Sequence, residues 1–326
     1  MFDSILSFIN RHQSFILITH DSPDADGIGA ELVMASILRN NQKNVRIINS
    51  SPVPAGLQFL KTGDIEIEKW VSSKQTSEEP TILPGNFAVF VLDTSEEFHI
   101  GHAREILKKA DEVFIIDHHE RKPASKLTGF VDTSASSVSE LTVELACFMG
   151  IELDQNSAMA AYCGIVYDTG FFSYAKTRIR TFTAAIKTLE WGADPNHIYR
   201  QLMENSSCAA ILLQRQAMAN LEFHANRKIA LMFLRRDDFE KAEAEFDEVE
   251  NIVNIPLRAK EVEVSLLIRE KSTGEIFCSL RSKGVNVSKI AQEFGGGGHV
   301  TAAGFRCSEN MEAIAGKLLS CVKSRL

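Results

Sequence analysis

The chain has 326 residues, a net charge of −8 and 24% charged residues. This length favours two domains over one, and the acidic balance argues against a broad grip on long duplex nucleic acid. The apolar runs are too short to cross a bilayer, residues 1–10 lack the features of a signal peptide, and the six cysteines form no CxxC pair. We therefore expect a cytoplasmic protein with reduced thiols and no membrane partner.

The first predicted strand is followed by residues that commonly bind metals. The apolar run 15–19 is typical of a short buried strand, and His20, Asp24 and Asp26 follow it within seven residues. A glycine-containing turn then leads into a predicted helix. In open α/β sheets, chemistry collects at the carboxyl ends of the strands.

Three later segments place acids and histidines at the ends of predicted elements, namely strands 88–92 and 113–116 and the helical pattern 158–167. The residues at these ends are Asp93, Asp117, His118, His119 and Asp168. So many carboxylates would raise one another's pKa values by repulsion and desolvation unless cations lay among them. Oxygen and imidazole ligands without thiolate favour Mn²⁺ or Mg²⁺, with Co²⁺ or Zn²⁺ as further candidates. The sequence therefore predicts a pair of divalent ions, an arrangement suited to phosphate ester hydrolysis.

The order of elements predicts an α/β protein with two domains. Strands and helices alternate over residues 1–192, which predicts a doubly wound parallel-sheet catalytic domain. We place a linker at 193–207 and a smaller mixed α/β domain at 208–326, with an active-site cleft between the domains. Within the second domain, the acidic stretch 237–250 is predicted to be a solvated amphipathic helix.

Five segments of the chain resemble the DHH phosphoesterases, a family named for the triplet found here at 117–119. The segments are T-H-D-S-P-D-A-D-G-I-G-A (19–30), V-L-D-T (91–94), Y-D-T-G (167–170), S-L-R-S (279–282) and F-G-G-G-G-H-V-T-A-A-G-F (294–305). The last two resemble the DHH-associated C-terminal domain. With the triplet itself, the resemblance extends over essentially the whole chain.

This resemblance implies a role for each residue in the predicted metal site. One metal would be held by His20, Asp24 and Asp93, and the other by Asp26, Asp93, His118 and Asp168. Asp93 would then bridge the two ions. His119 would face the substrate phosphate as a donor or general acid, and Asp117 would orient the neighbouring histidines.

Further residues are predicted to bind substrate, namely Ser136, Ser137, Arg281, Gly296, Gly297, Gly298 and His299. The serines stand at a predicted helix start, where hydroxyls and free N–H groups hold anions, with a plain helix cap as the alternative. The glycines allow main-chain N–H groups to approach an anion, with a flexible loop as the alternative. Arg178 and Arg180 are further candidates to guide a phosphate into the site. The alternative is that they are surface residues that promote solubility. Residues 255–326 carry a net charge of +4, whereas residues 1–254 carry a net charge of −12. This difference favours the C-terminal part as the anion-binding surface.

The resemblance implies a metal-dependent phosphoesterase that hydrolyses very short RNA to nucleoside monophosphates and 3'-phosphoadenosine 5'-phosphate (pAp) to AMP. Alternatives are a phosphodiesterase for cyclic di-AMP or its linear product pApA, an inorganic pyrophosphatase, and a non-catalytic nucleotide sensor. The GGGGH segment argues against the pyrophosphatase, and the intact ligand set argues against the sensor. The preferred metal, the polarity of attack and the formation of a homodimer stay open.

Overall fold

The computed structural model describes residues 2–61, 64–72, 81–120, 125–249, 251–298 and 300–326. The chain divides into two compact units, Met1–Asn205 and Ser206–Leu326. The segment predicted as a linker contains a helix, Pro195–Met203, which Asp194 caps and whose Ile198 is buried in the core of the first unit.

The first unit is a parallel sheet covered on both faces. Within the described residues the strand order is β3-β2-β1-β4-β5-β6, with every pair parallel. The strands are β1 (Ser14–Ile18), β2 (Asn44–Asn49), β3 (Ile67–Lys69), β4 (Ala88–Leu92), β5 (Glu112–Asp117) and β6 (Gly129–Val131). The helices are α1 (Asp3–Arg11), α2 (Ala25–Asn40), α3 (Arg104–Leu107), α4 (Val138–Phe148), α5 (Gln155–Asp168), α6 (Ile179–Glu190) and α7 (Pro195–Met203), with 3₁₀ segments at Ala55–Leu60 and Glu97–Ala103.

The continuous apolar runs of the central strands form two cores. Phe15 and Leu17 of β1 pack into the core shared with α1, α2, α4 and α5, whereas Ile16 and Ile18 pack into the core on the opposite face. Strands buried on both faces need no polar alternation, which explains why these runs are uniformly apolar. The predicted doubly wound parallel sheet is confirmed.

Close helix packing brings the end of α5 to the carboxyl edge of this sheet. Helix α2 is capped by Asp24, whose side chain accepts the N–H groups of Asp26 and Gly27, and the helix is buried along most of its length. Helix α5 approaches at Gly164, where a Cβ atom would lie only 2.1 Å from Ser139 Oγ. A larger residue there would push α5 away from its neighbours.

The second unit is a mixed sheet in the order β11-β12-β10-β9-β8-β7 among the described residues, with β8 and β9 parallel and the other pairs antiparallel. Its strands are β7 (Glu222–His224), β8 (Ile229–Leu234), β9 (Val264–Glu270), β10 (Ile276–Ser282), β11 (Gly297–Gly298) and β12 (Ala302–Cys307). Its helices are α8 (Cys208–Ala219), α9 (Arg236–Ala242), α10 (Val287–Glu293) and α11 (Met311–Lys323), with a 3₁₀ segment at Ile252–Arg258. The predicted mixed α/β fold is confirmed. No helix in the described part of the chain has the length and apolar character required to span a membrane.

The prediction of one helix over 237–250 is wrong. Helix α9 ends at Ala242, and Glu243 takes a left-handed conformation with φ 54°. The chain then turns so that the Phe246 ring packs 5.4 Å from the Phe239 ring and 5.0 Å from the Phe277 ring, measured between centroids. Burial of Phe246 against these aromatic neighbours replaces the solvated helix.

Replacing Phe8 by Ala is expected to lower the free energy of unfolding of the first unit by about 3–5 kcal/mol. Phe8 is fully buried, with its ring centroid 4.7 Å from that of Phe90 and 5.0 Å from that of Phe114. Both tryptophans of the chain, Trp70 and Trp191, lie in this unit, so tryptophan fluorescence during urea unfolding reports on it. Phe8→Leu retains more side-chain volume and should lower the free energy of unfolding by less. Equal losses of stability in both variants would contradict the packing argument.

Candidate metal centre

The carboxyl ends of neighbouring strands bring the predicted ligands together. Strands β1 and β4 are adjacent, and the strand order runs outward from them in opposite directions. This switch point is where open α/β sheets bind ligands. The residues gathered there are His20 after β1, Asp24 and Asp26 at the start of α2, Asp93 after β4, Asp117 and His118 at the end of β5, and Asp168 at the end of α5.

The ligand atoms form three overlapping groups, joined through Asp93 and His118. The first is His20, Asp24 and Asp93, the second is Asp93, His118 and His119, and the third is Asp26, His118 and Asp168, each within 4.8 Å. Asp93 Oδ2 lies 3.5 Å from His20 Nε2, whereas Asp93 Oδ1 lies 3.5 Å from His118 Nε2. Bonds of about 2.1 Å to one ion separate neighbouring ligands by roughly 3.0–3.4 Å. The spacing therefore suits an ion on each side of Asp93.

Two buried atoms at this junction lack ordinary partners. Asp93 is 4% exposed and His118 is 3% exposed, and neither Asp93 Oδ1 nor His118 Nε2 makes a hydrogen bond within the described residues. The Nδ1 atom of His118 lies 3.4 Å from the carbonyl oxygen of Ala135, and that of His20 lies 3.0 Å from the carbonyl oxygen of Asp21. Metal-binding histidines commonly donate their second N–H in this way. Asp93 Oδ1 and His118 Nε2 instead lie close to other residues of the ligand set, and this donor set fits divalent ions.

The electrostatics of these residues show that the site requires positive charge. Burial lowers the pKa values of His20 and His118, but the surrounding carboxylates outweigh burial and raise each pKa to about 11. Burial raises the pKa values of Asp26 and Asp168, and repulsion from Asp93 adds to both. Burial also acts to raise the pKa of Asp93, but the two imidazoles hold it below its usual range. Protons on the histidines thus compensate the carboxylates when metal is absent.

Asp26 is fixed by the first turn of helix α4. Its carboxylate is fully buried and accepts the N–H groups of Val138 at 2.6 Å and Ser139 at 2.8 Å. These N–H groups have no partner within the helix, and the positive end of the helix dipole favours a carboxylate. Ser139 Oγ also donates to the Asp26 carbonyl oxygen.

The two predicted phosphate-binding serines are engaged within the same helix start. Ser137 Oγ accepts the Glu140 N–H, and Ser136 Oγ donates to Glu140 Oε2. Both serines are buried. Their contacts in this structure are those of a helix cap, and their role toward phosphate stays a prediction.

Asp117 holds the histidine pair that follows it. Its buried carboxylate accepts the N–H groups of His118 and His119 and lies 2.8 Å from His119 Nδ1. Ser95 Oγ donates to the other Asp117 oxygen. The Asp117 hydrogen bond raises the pKa of His119, whose side chain is 56% exposed. Because Nδ1 is taken, Nε2 is the ring nitrogen left for a substrate.

Arg180 is paired with three carboxylates. Its guanidinium lies 2.7 Å from Asp132, 2.8 Å from Glu140 and 2.6 Å from Glu144. Three carboxylates therefore satisfy this side chain, and it fixes the α6 helix to the first turns of α4. The interpretation of Arg180 as a phosphate guide is not supported by these contacts.

A buried polar network behind His20 was missed from sequence. The Thr19 N–H donates to Asn49 Oδ1, and Asn49 Nδ2 donates to Glu31 Oε2 at 2.9 Å. Burial raises the pKa of Glu31 to about 8. Asn49 ends β2, so its only sequence signal is a polar residue after an apolar strand. The network fixes the backbone that leads into His20.

The predicted substrate residues of the second unit have mixed surroundings. Arg281 is half-buried and forms no ion pair within the described residues, and burial lowers its pKa. A Cβ atom on Gly296 would lie 2.2 Å from Gly304 O, and one on Gly298 would lie 2.5 Å from Ala302 O, so strand packing explains both glycines. A Cβ atom on Gly297 would meet nothing within 4 Å, and His299 lies outside the described residues.

Comparison with known proteins identifies the class of protein that this fold and site define. The model of the DHH family, N-terminal domain, matches residues 14–165, and the DHHA1 domain model matches residues 226–324. The chain therefore combines a DHH-family N-terminal domain with a DHHA1 domain, the domain composition of a metal-dependent phosphoesterase.

Individual proteins similar to this chain indicate more specific activities. The chain is 27% identical to the probable bifunctional oligoribonuclease and PAP phosphatase NrnA of Streptococcus mutans, over 93% of this chain and 92% of the relative. It is also 27% identical to the cyclic-di-AMP phosphodiesterase GdpP of Geobacillus thermodenitrificans, over 94% of this chain but 46% of the relative. The crystal structure of an exopolyphosphatase-related protein from Bacteroides fragilis superposes with a TM-score of 0.86 at 25% identity, covering 99% of this chain and 95% of that one.

Binding of Mn²⁺ is expected to release protons and to strengthen as pH rises from about 6 to 9. His20 and His118, with pKa values of about 11, are protonated at neutral pH, whereas an ion requires a neutral Nε2. The raised pKa values of Asp26 and Asp168 act in the same direction. Apparent affinity should rise up to about tenfold per pH unit for each proton released. Calorimetric titration in two buffers of different ionisation enthalpy measures this release, and identical heats in both buffers would contradict it.

Proposed function

We propose that the protein hydrolyses very short oligoribonucleotides to nucleoside monophosphates and also converts pAp to AMP and phosphate. The observation that carries this proposal is the division of the two Asp93 oxygens between two groups of metal-binding atoms. The similarity to a bifunctional oligoribonuclease and PAP phosphatase over more than nine-tenths of both chains supports the substrate class.

In this proposal the two ligand groups hold two divalent ions. His20, Asp24 and Asp93 hold one ion, and the other is held by Asp26, Asp93, His118 and Asp168. We propose Mn²⁺ because the ligands are carboxylate oxygens and imidazole nitrogens without a thiolate, with Mg²⁺ or Co²⁺ as substitutes. When bound, such a pair supplies positive charge for a phosphate and activates water for attack at phosphorus.

His119 and Asp117 are proposed to serve the substrate rather than the ions. The hydrogen bond to Asp117 fixes the His119 ring and favours its protonated form. A protonated Nε2 would donate to a phosphate oxygen or protonate the leaving oxygen. Ser136 and Ser137 are proposed to act at the same phosphate, which requires their present hydrogen bonds at Glu140 to be exchanged or shared.

The DHHA1 domain is proposed to bind substrate through Arg281, the glycines 296–298 and His299. A half-buried guanidinium without a carboxylate partner among the described residues suits an anionic ligand. Gly297 supports the same reading because its missing side chain leaves open space. We also propose a cytoplasmic location, since all six cysteines are free.

Cyclic di-AMP hydrolysis is the competing function, because the relative with that activity is equally identical in sequence. A substrate panel separates the candidates. With Mn²⁺, turnover is expected to be fastest on pApA, a five-nucleotide RNA or pAp, and slower on cyclic di-AMP and pyrophosphate. Asp93→Ala should remove turnover of every substrate while circular dichroism stays unchanged, because both proposed ion sites use Asp93 as a ligand.

Preference for cyclic di-AMP would reassign the enzyme to second-messenger degradation. Tight nucleotide binding without turnover of any substrate would favour a sensor. Wild-type turnover by Asp93→Ala would refute the bridging role.

Arg281→Ala is expected to raise KM for pApA and pAp by about 10- to 150-fold with little change in kcat, because a lost charged hydrogen bond costs about 1.5–3 kcal/mol. Arg306→Ala is the matched control, since Arg306 lies on the same sheet with its side chain 75% exposed. Steady-state kinetics on both variants decides the role. A fall in kcat with unchanged KM would contradict a binding function for Arg281.

A further inference from the structure

The segment that follows the metal ligand Asp168 has an unusual backbone and an exposed aromatic residue. Gly170, Phe171 and Phe172 all have positive φ, at 53°, 52° and 65°. Bulky residues rarely adopt this conformation, and clusters of such residues are found at functional sites. The turn is held by hydrogen bonds from the Phe172 N–H to Thr169 Oγ1 and from the Tyr174 N–H to the Thr169 carbonyl oxygen.

This turn places the ring of Tyr174 directly over Gly170. A Cβ atom on Gly170 would lie 2.5 Å from both Cε1 and Cζ of Tyr174, so the ring packs where a side chain would otherwise stand. Tyr174 is nevertheless 61% exposed. The Tyr174 ring therefore packs against the backbone of Gly170, two residues after the metal ligand Asp168, while most of the ring surface faces solvent.

The same segment is fixed to the second ligand loop and carries positive charge. Lys176 Nζ donates to the carbonyl oxygen of His118 at 3.1 Å, which ties the segment to the residue that follows β5. Lys176 and Arg178 are both exposed, and neither forms an ion pair in the part of the chain that the structure describes. An exposed aromatic ring followed within four residues by exposed cationic side chains supplies the two kinds of group with which proteins bind single-stranded nucleic acid.

We propose that Tyr174 is the stacking platform for one nucleobase of the substrate, with Lys176 and Arg178 beside it on the side of the phosphates. This assignment rests on the proposed function, because it requires a nucleotide substrate at the metal centre. It adds a contact that acts on the base, whereas the metal ligands, His119 and Arg281 all act on phosphate. Tyr174 would thus favour nucleotides over phosphate compounds without a base.

The test compares substrates that differ only in the base. The steady-state constants kcat and KM are measured for pApA and for two analogues, each lacking one of the two adenines. Tyr174→Ala is expected to raise KM for pApA by about 5- to 150-fold, the equivalent of about 1–3 kcal/mol of stacking. Its kcat should stay within about twofold. The analogue without the stacked adenine should show the same KM with the wild type and with Tyr174→Ala.

Two variants control for indirect effects. Tyr174→Phe retains the ring and should keep the wild-type KM. Phe148→Ala removes an aromatic residue of similar exposure, 56%, at the far end of helix α4, and should leave both constants unchanged. An unchanged KM in Tyr174→Ala, or an equal rise for pApA and both analogues, would overturn the stacking role.

Binding in the absence of turnover separates this inference from the proposed function. Calorimetry would compare the affinity for pApA of the Asp93→Asn variant with that of a double variant that carries Asp93→Asn and Tyr174→Ala. The double variant should bind pApA about 5- to 150-fold more weakly. If the wild type fails to hydrolyse pApA, the proposed function is wrong, while these affinities still decide the role of Tyr174. Equal affinities would refute it.

Discussion

Four aspartates share one small volume at the carboxyl edge of the parallel sheet, and their mutual repulsion is the constraint on which the rest of the site depends. Asp24 and Asp93 belong to one group of ligand atoms within 4.8 Å of one another, and Asp26 and Asp168 belong to another such group. Burial makes each negative charge more costly, so every one needs a compensating group. Two imidazoles with raised pKa values supply that charge without metal, and divalent ions supply it when bound.

The residues around the ligands continue this balance of charge, with positive and negative groups alternating outward from the site. The N-terminus of α4 donates two N–H groups to Asp26, and Glu140 in the same helix turn pairs with Arg180. Arg180 belongs to α6, a helix that contributes no metal ligand. Its pairs with Glu140 and Glu144 fix α6 against α4, its pair with Asp132 fixes α6 to the segment after β6, and α4 in turn fixes Asp26. The position of one metal ligand is thus set by a charged residue that a list of ligands would omit.

The ligands were predictable from sequence because they are local features. Each stands directly after an apolar run or at a helix end, and the sheet rule then requires those ends to meet. The Arg180 pairs were not predictable, because nothing near Arg180 or Glu140 in the sequence signals that two helices will place them 2.8 Å apart. The prediction of one helix over 237–250 was wrong for a related reason, since packing of Phe246 on Phe277 overrides the local helical pattern. What escapes sequence reasoning here is long-range pairing rather than residue type.

The backbone of Asp93 shows why the site needs this residue and no other. Its φ of 62° lies in the left-handed region, which costs most residues about 1–2 kcal/mol and is tolerated best by glycine, asparagine and aspartate. The Asp93 N–H still donates to the Ile116 carbonyl oxygen, so the last bond between β4 and β5 holds the strained residue in place. Glycine would relieve the strain but provide no ligand, and asparagine would offer one oxygen where two are used. Only aspartate satisfies the backbone and presents an oxygen to both His20 and His118.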